Sequence, residues 1–178
     1  TLNYVLNHLT SPDGGFYSAE DAESLPHKEA KTKEEGAYYI WTSGEIKETL
    51  KADDYSIFAQ AYGIEESGNV SFQNDPRGEL NNQNILYRKS SINQLAQEFE
   101  TTENEIETSL SHSLEILQKT RQQRPHPHLD DKIIAEWNGL MISAFAKAYQ
   151  IPHNNRYLDT ATKAANFLKT NITDTKSG

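Results

Sequence analysis

Apolar residues recur at helical spacing from the start of the chain: Leu2, Val5, Leu6 and Leu9 fall on one face. Ser11-Pro12-Asp13-Gly14-Gly15 is turn chemistry that ends this helix, and Phe16-Tyr17-Ser18 reads as a short strand. A mixed Lys/Glu run from Leu25 to Glu35 predicts a solvated loop. Ala37-Tyr38-Tyr39-Ile40-Trp41 is aromatic and β-branched, and is expected to pair with the first strand as a β-hairpin with a long loop. Thr42 and Glu45 form a capping box for a short helix with Ile46 and Leu50 inward. Tyr55, Phe58, Ala59 and Tyr62 then share a face closed by Gly63. From Gly68 to Glu79 no helical period survives, Asn74-Asp75-Pro76-Arg77-Gly78 is a turn by composition, and Ile85-Leu86-Tyr87 is a candidate third strand.

After Ser90 the pattern is helical throughout. Ile92, Leu95, Ala96 and Phe99 make one stripe, and Thr102 with Glu105 opens a helix carrying Ile106, Leu110, Leu114 and Leu117 inward. Two prolines break the helix between Arg124 and His128. The stretch from Lys132 to Gln150 is apolar nearly all round, which predicts a buried helix ended by Ile151-Pro152. Asp130 is the expected N-cap of that helix, with Leu129 and Ile134 as a hydrophobic staple and Asp131 in the first turn. Asn154 or Asn155 caps a last helix with Tyr157, Ala161, Ala164, Ala165 and Leu168 on one stripe. Single-faced helices around an inner one give the layering of an α/α toroid or large helical bundle, so the fold class is mainly α.

Composition narrows the function. A length of 178 residues suits one domain or a piece of a larger one. The chain opens without methionine inside a helical pattern and stops at Lys176-Ser177-Gly178 just after another, which is expected of a segment. A net charge of −9 and a pI near 5.1 oppose binding to nucleic acid or an anionic membrane. No apolar run approaches membrane-spanning length and the start lacks the pattern of a signal peptide, so the chain reads as soluble; its compartment is left open, with the cytoplasm favoured. The absence of cysteine removes disulfides, thiolate metal sites and sulfur redox chemistry from this chain.

Four strings carry a resemblance: GGFYSAEDAES (Gly14 to Ser24), EGAYYIWT (Glu35 to Thr42), DPRGELNNQNIL (Asp75 to Leu86) and RPHPHLDDKIIAEWNGLMIS (Arg124 to Ser143). Together and in this order they resemble the YyaL-type family, the spermatogenesis-associated thioredoxin-domain proteins. Glu136, where the family usually has a small residue, and the Asn81-Asn82 pair depart from its pattern. The resemblance implies an N-terminal thioredoxin-like domain followed by a six-hairpin α/α toroid similar to those of sugar epimerases and glycosidases. On that basis residues 1–178 are a single segment, the N-terminal part of the toroid, without the thioredoxin-like domain. Residues 1–89 would hold a helix, a small β-hairpin excursion and short helices, and residues 90–178 helical hairpins. The thioredoxin-like domain of the parent chain is then a partner, and the segment alone is expected to be inactive.

The candidate chemistry is that of a sugar site, where aromatic faces stack on C–H surfaces and carboxylates bond hydroxyls. Glu20 and Asp21 lie beside Phe16, Tyr17, Tyr38, Tyr39 and Trp41 in this reading, and His128, Asp131, Trp137 and Asn138 follow the prolines. Glu20 and Asp131 are the candidate catalytic carboxylates; Asp21, Tyr39, Trp41, His128, Trp137 and Asn138 are candidate ligand-binding residues. Glycoside hydrolysis needs an acid and a base across one bond, and epimerisation a base and an acid flanking a carbon, usually histidines. No histidine pair stands on a helix predicted to be buried, so an epimerase is not supported by this segment. His126-x-His128-x-Asp130 has the shape of a binuclear metal site but lacks further ligands, and neither metal nor cofactor is expected. The first reading is therefore a module that binds or processes a carbohydrate-like small molecule. The alternatives are a non-catalytic scaffold or protein-interaction module for a thioredoxin-like domain and, third, a metal-dependent hydrolase. Unpartnered faces of the inner helix lead to an expectation of self-association.

Overall fold

The computed structural model describes residues 1–151 and 153–172; Pro152, part of the expected helix stop, and Lys176 to Gly178 lie outside the described residues. Its elements in chain order are α1 (Leu2–His8), β1 (Ala19–Glu20), β2 (Glu23–Ser24), β3 (Glu34–Glu35), α2 (Ser43–Thr49), α3 (Ala52–Tyr62), α4 (Ile92–Glu98), α5 (Glu103–Arg121), β4 (Leu129–Asp130), α6 (Ala135–Tyr149) and α7 (Asn155–Asn171). Helices of 7 to 19 residues stand against strands of two, so the chain is mainly α. The chain forms two compact units, one of residues 1–21 and 128–178 and the other of residues 22–127.

In the first unit α1 turns Val5 inward while Leu2, Leu6 and Leu9 pack around it, as their spacing predicts. Phe16 stacks on Phe145 of α6 at 5.4 Å, and Ala161 and Ala164 of α7 close the core. Gly15 is required by close approach: a Cβ there would lie 2.8 Å from both Ile133 and Phe167. β1 pairs antiparallel with β4, Ala19 opposite Asp130 and Glu20 opposite Leu129. Of the α6 positions only Asn138 and Phe145 are buried, while Trp137 and Leu140 are exposed. The helix expected to be buried on all sides is thus two-faced within this unit.

The second unit is built on α2 to α5. Trp41, Ile46, Phe58, Leu95, Ile106 and Leu110 are its core. All three of its cleanest helix starts are capping boxes. Thr42–Glu45 and Thr102–Glu105 were expected from spacing, and Ser91–Gln94 opens α4 in the same way. Gly63 closes α3 in the left-handed conformation, as expected. β2 and β3 form the one small hairpin of this unit, with Glu23 opposite Glu35 and Ser24 opposite Glu34.

The hairpin is not where the aromatic pattern put it, for a physical reason repeated along the chain. Phe16 forms only an isolated bridge to Thr10, because its N–H and C=O are taken by the side-chain amide of Asn138 at 2.7 and 2.9 Å. Residues 37–40 turn instead of extending: Tyr39 and Ile40 both donate to the Gly36 carbonyl, and the Arg124 guanidinium takes the carbonyls of Ala37, Tyr38 and Ile40. Ile85 exchanges both its main-chain bonds with the amide of Asn69, so the third predicted strand is reduced to a bridge between Trp41 and Asn84. In each case a side chain takes the place of a neighbouring strand.

Asp130 is not a helix cap. It lies in β4, its carboxylate is held by the Lys132 ammonium at 2.6 and 2.7 Å, and Ser18 donates to its carbonyl. α6 starts only at Ala135, with Ile134 in the capping position and no side-chain cap, so the proposed staple and the first-turn place of Asp131 do not form. Asn154 is the cap of α7, accepting from the Arg156 N–H.

Candidate functional site

The sequence separates Glu20-Asp21 from His128-Asp131 by more than a hundred residues, and the first unit joins them. β1 and β4 put Glu20 opposite Leu129, and the Asp21 N–H donates to the His128 carbonyl at 2.8 Å. Glu20 is half-buried and accepts from the Tyr4 hydroxyl, a bond that sequence reading did not foresee. Asp21, His128 and Asp131 are exposed. Asp130 beside them has its carboxyl held below the usual range, first by the hydrogen bond from the Lys132 ammonium, then by the Lys132 N–H.

The ladder leads back through Ser18 and Tyr17 to a small cleft of about 160 Å³ lined also by Val5, Trp137 and Met141. Trp137 is 52% exposed, so its ring is available to a ligand as well as to this cleft. Asn138 reaches the same cleft but is only 1% exposed, and its amide is committed to Phe16 and to the Ile134 carbonyl. It holds the Phe16–Tyr17 segment in place.

Tyr39 and Trp41 belong to the second unit. Tyr39 packs edge-on against Tyr38 with the Arg121 guanidinium over its ring. Trp41 is 1% exposed and carries the Arg124 guanidinium 4.0 Å from its ring centre. A cleft of about 420 Å³, within the range of small-molecule sites, adjoins Trp41 and is bounded by His27, Lys28, Glu45, Glu48 and Arg124. Arg124 is the residue sequence reading missed here. It bonds three carbonyls and Glu45, while burial, set against the nearby Glu45, lowers its pKa. The indole N–H of Trp41 is buried without a hydrogen-bond partner among the described residues.

The third reading of the sequence needed a metal shell. Among the described residues no group of three or more His, Asp or Glu is placed to hold a metal ion, and the His126 ring lies tilted against Tyr38 at 4.6 Å. Nor, among them, is any helix long and apolar enough to cross a membrane.

Comparison with known proteins adds two findings. Residues 135–176 match the family described as D-glucuronyl C5-epimerase C-terminus. The chain is 39% identical to human spermatogenesis-associated protein 20 and 37% identical to the mouse protein, over 99% of its own length in both. It is also 39% identical to an uncharacterized protein of Caenorhabditis elegans, over 92% of its length. It spans 23% to 24% of the length of these relatives. Over nearly its whole length the chain is therefore similar to about a quarter of spermatogenesis-associated protein 20.

Proposed function

We propose that this chain contributes to a site for a carbohydrate-like small molecule, as part of a six-hairpin α/α toroid accompanied in the parent protein by a thioredoxin-like domain. The observation that carries the reading is the β1–β4 pairing, which sets Glu20 opposite Leu129, with Asp21 bonded to His128 at one end and Asp131 following at the other, next to the cleft of Tyr17 and the exposed Trp137. A ring with neighbouring carboxylates is what a polyhydroxylated ligand needs: the ring stacks on C–H faces and the carboxylates bond hydroxyls. The match of the α6 and α7 region to the C-terminal part of an enzyme acting on glucuronyl residues supports the ligand class. Asp131 is exposed, outside the helix and away from the Lys132 clamp on Asp130, so it is the carboxylate suited to act as a base or hydroxyl anchor. Glu20, bonded by Tyr4, is the fixed one of the pair.

A thermal-shift and calorimetric screen of the chain with neutral sugars and uronic acids tests this. Asp131→Asn and Glu20→Gln should abolish binding of the best ligand with little change in melting temperature. Unchanged affinity in both variants removes the reading.

A scaffold role is the second reading, favoured by the exposure of Trp137 and Leu140 on α6. Under it no sugar binds, and the same face contacts protein.

A further inference from the structure

The Ser11-Pro12-Asp13-Gly14 turn of the first unit is held on itself and against α7. The Ser11 N–H donates to the Gly15 carbonyl at 2.8 Å and the Gly14 N–H to the Ser11 carbonyl at 3.0 Å. Gly14 has φ +107°, and a side chain there would come within 3.2 Å of the Lys163 carbonyl oxygen. The turn is therefore a fixed wall.

Between it and the first half of α7 lies a cleft of about 410 Å³, lined by Thr10, Ser11, Arg156, Asp159, Thr160 and Lys163. Two of its hydroxyls are in use: Thr10 donates to the Val5 carbonyl at 2.8 Å and Thr160 to the Arg156 carbonyl at 2.7 Å. Ser11 is different. It is 7% exposed, and among the described residues its hydroxyl has no hydrogen-bond partner, which is a standing cost for a buried polar group. Arg156 places one guanidinium nitrogen 3.3 Å from the Asn7 side-chain oxygen and leaves the rest of its fork uncommitted among the described residues. Asp159 and Lys163 have the i,i+4 spacing at which opposite charges pair on a helix. Among the described residues no ion pair joins them, so the Lys163 ammonium is also uncommitted. The uncommitted polar capacity of the cleft is thus two cations and a buried hydroxyl against one carboxylate, in a chain whose net charge is −9. The positive end of α7 adds to the same sign.

We propose that this cleft is a binding site for a tetrahedral oxyanion of the phosphoryl class. The Arg156 fork presents paired donors to two oxygens, Lys163 supplies a point charge from the next turns of the helix, and Ser11 supplies a donor from the opposite wall. The Ser11 oxygen is closed off from solvent, so this last bond forms when its side chain moves to another staggered position. A tetrahedral group suits the site better than a carboxylate because its additional oxygens meet the Arg156 fork, Lys163 and Ser11 together, whereas Asp159 opposes any anion alike. The site shares no residue with the β1–β4 ladder and stands or falls independently of the sugar reading.

The test is calorimetric titration of the chain at low ionic strength with inorganic phosphate, a hexose phosphate and acetate, against sodium chloride at matched ionic strength. Phosphate should bind saturably and about tenfold more tightly than acetate. Lys163→Gln and Ser11→Ala should each weaken it about fivefold or more, with melting in phosphate-free buffer unchanged for the first and unchanged or raised for the second. A tighter hexose phosphate identifies a phosphorylated metabolite as the ligand, and equal affinity identifies the free anion. Absence of saturable phosphate binding, or wild-type affinity in folded Lys163→Gln, overturns the proposal.

Discussion

Asn138 commits its whole amide to main-chain groups: the oxygen accepts from the Phe16 N–H, and the nitrogen donates to the Phe16 and Ile134 carbonyls. Truncation would leave the Phe16 N–H and C=O buried without partners, and each such loss costs about 1 to 3 kcal/mol. Asn138→Ala is therefore expected to destabilise the chain by roughly 2 to 4 kcal/mol in urea unfolding. A loss below about 1 kcal/mol would mean that the clamp is dispensable. The sequence marks Asn138 only as a polar residue inside an apolar helix, which reads equally as a ligand contact. Its partner lies 122 positions away, so no local pattern reveals that its bonds are already made. Arg124 was illegible for the same reason, since its acceptors on Ala37, Tyr38 and Ile40 come from a segment that reads as a strand. Glu20 and Asp131 are legible as carboxylates, but the pairing that sets Glu20 opposite Leu129, two residues before Asp131, is encoded by no periodicity.

At the scale of elements, what was local in sequence was readable. The boxes at Thr42 and Thr102 need only a hydroxyl and a carboxylate three residues apart, and both form. The strands were not readable, because Asn138, Asn69 and Arg124 satisfy backbone groups that a β partner would otherwise take. The Asp130 cap failed because Lys132, two residues on, holds its carboxylate and β4 holds its backbone. The α5 box also carries a pH dependence. Bonds from the Thr101 hydroxyl, then the Thr102 N–H and hydroxyl, lower the Glu105 pKa from 4.5 to about 2. A carboxylate depressed in the folded state contributes stability that is complete above its unfolded value and is lost as pH falls toward its folded one. Acid between about pH 4.5 and 2 should therefore loosen the start of α5. The Ser91–Gln94 box of α4 has no titrating group and serves as the internal reference. Amide exchange followed by NMR should show Glu105→Gln flattening the acid response of α5 alone, and Thr102→Ala should cost about 1 kcal/mol at neutral pH. An equal acid response at both helix starts would contradict this.

For the molecule as a whole, the two faces of α6 pose the remaining question. Phe145, with Met141 and Ile142, faces the core of its unit, while Trp137, Leu140 and Ala144 recur at helical spacing among exposed positions. Leu140 is 69% exposed, so this stripe is apolar surface in water rather than a half-closed core. Such a stripe gains by burial against a second apolar face, and the partner present in a solution of this chain is another copy of itself. Opposing this is the charge of −9 carried by every copy. The two terms respond oppositely to salt: screening weakens the like-charge repulsion and leaves the apolar contact intact. Self-association is therefore expected to rise with concentration and to strengthen on addition of sodium chloride, the reverse of an interface built on opposite charges. Sedimentation equilibrium reads the mass, and blue-shifted tryptophan emission reports burial of the Trp137 ring, since Trp41 is buried within its own unit. Leu140→Glu puts a charge on the stripe at a site with no core contacts and should restore the monomer without loss of melting temperature. A chain that stays monomeric at high concentration in both low and high salt, with unshifted emission, would show that the stripe does not drive association.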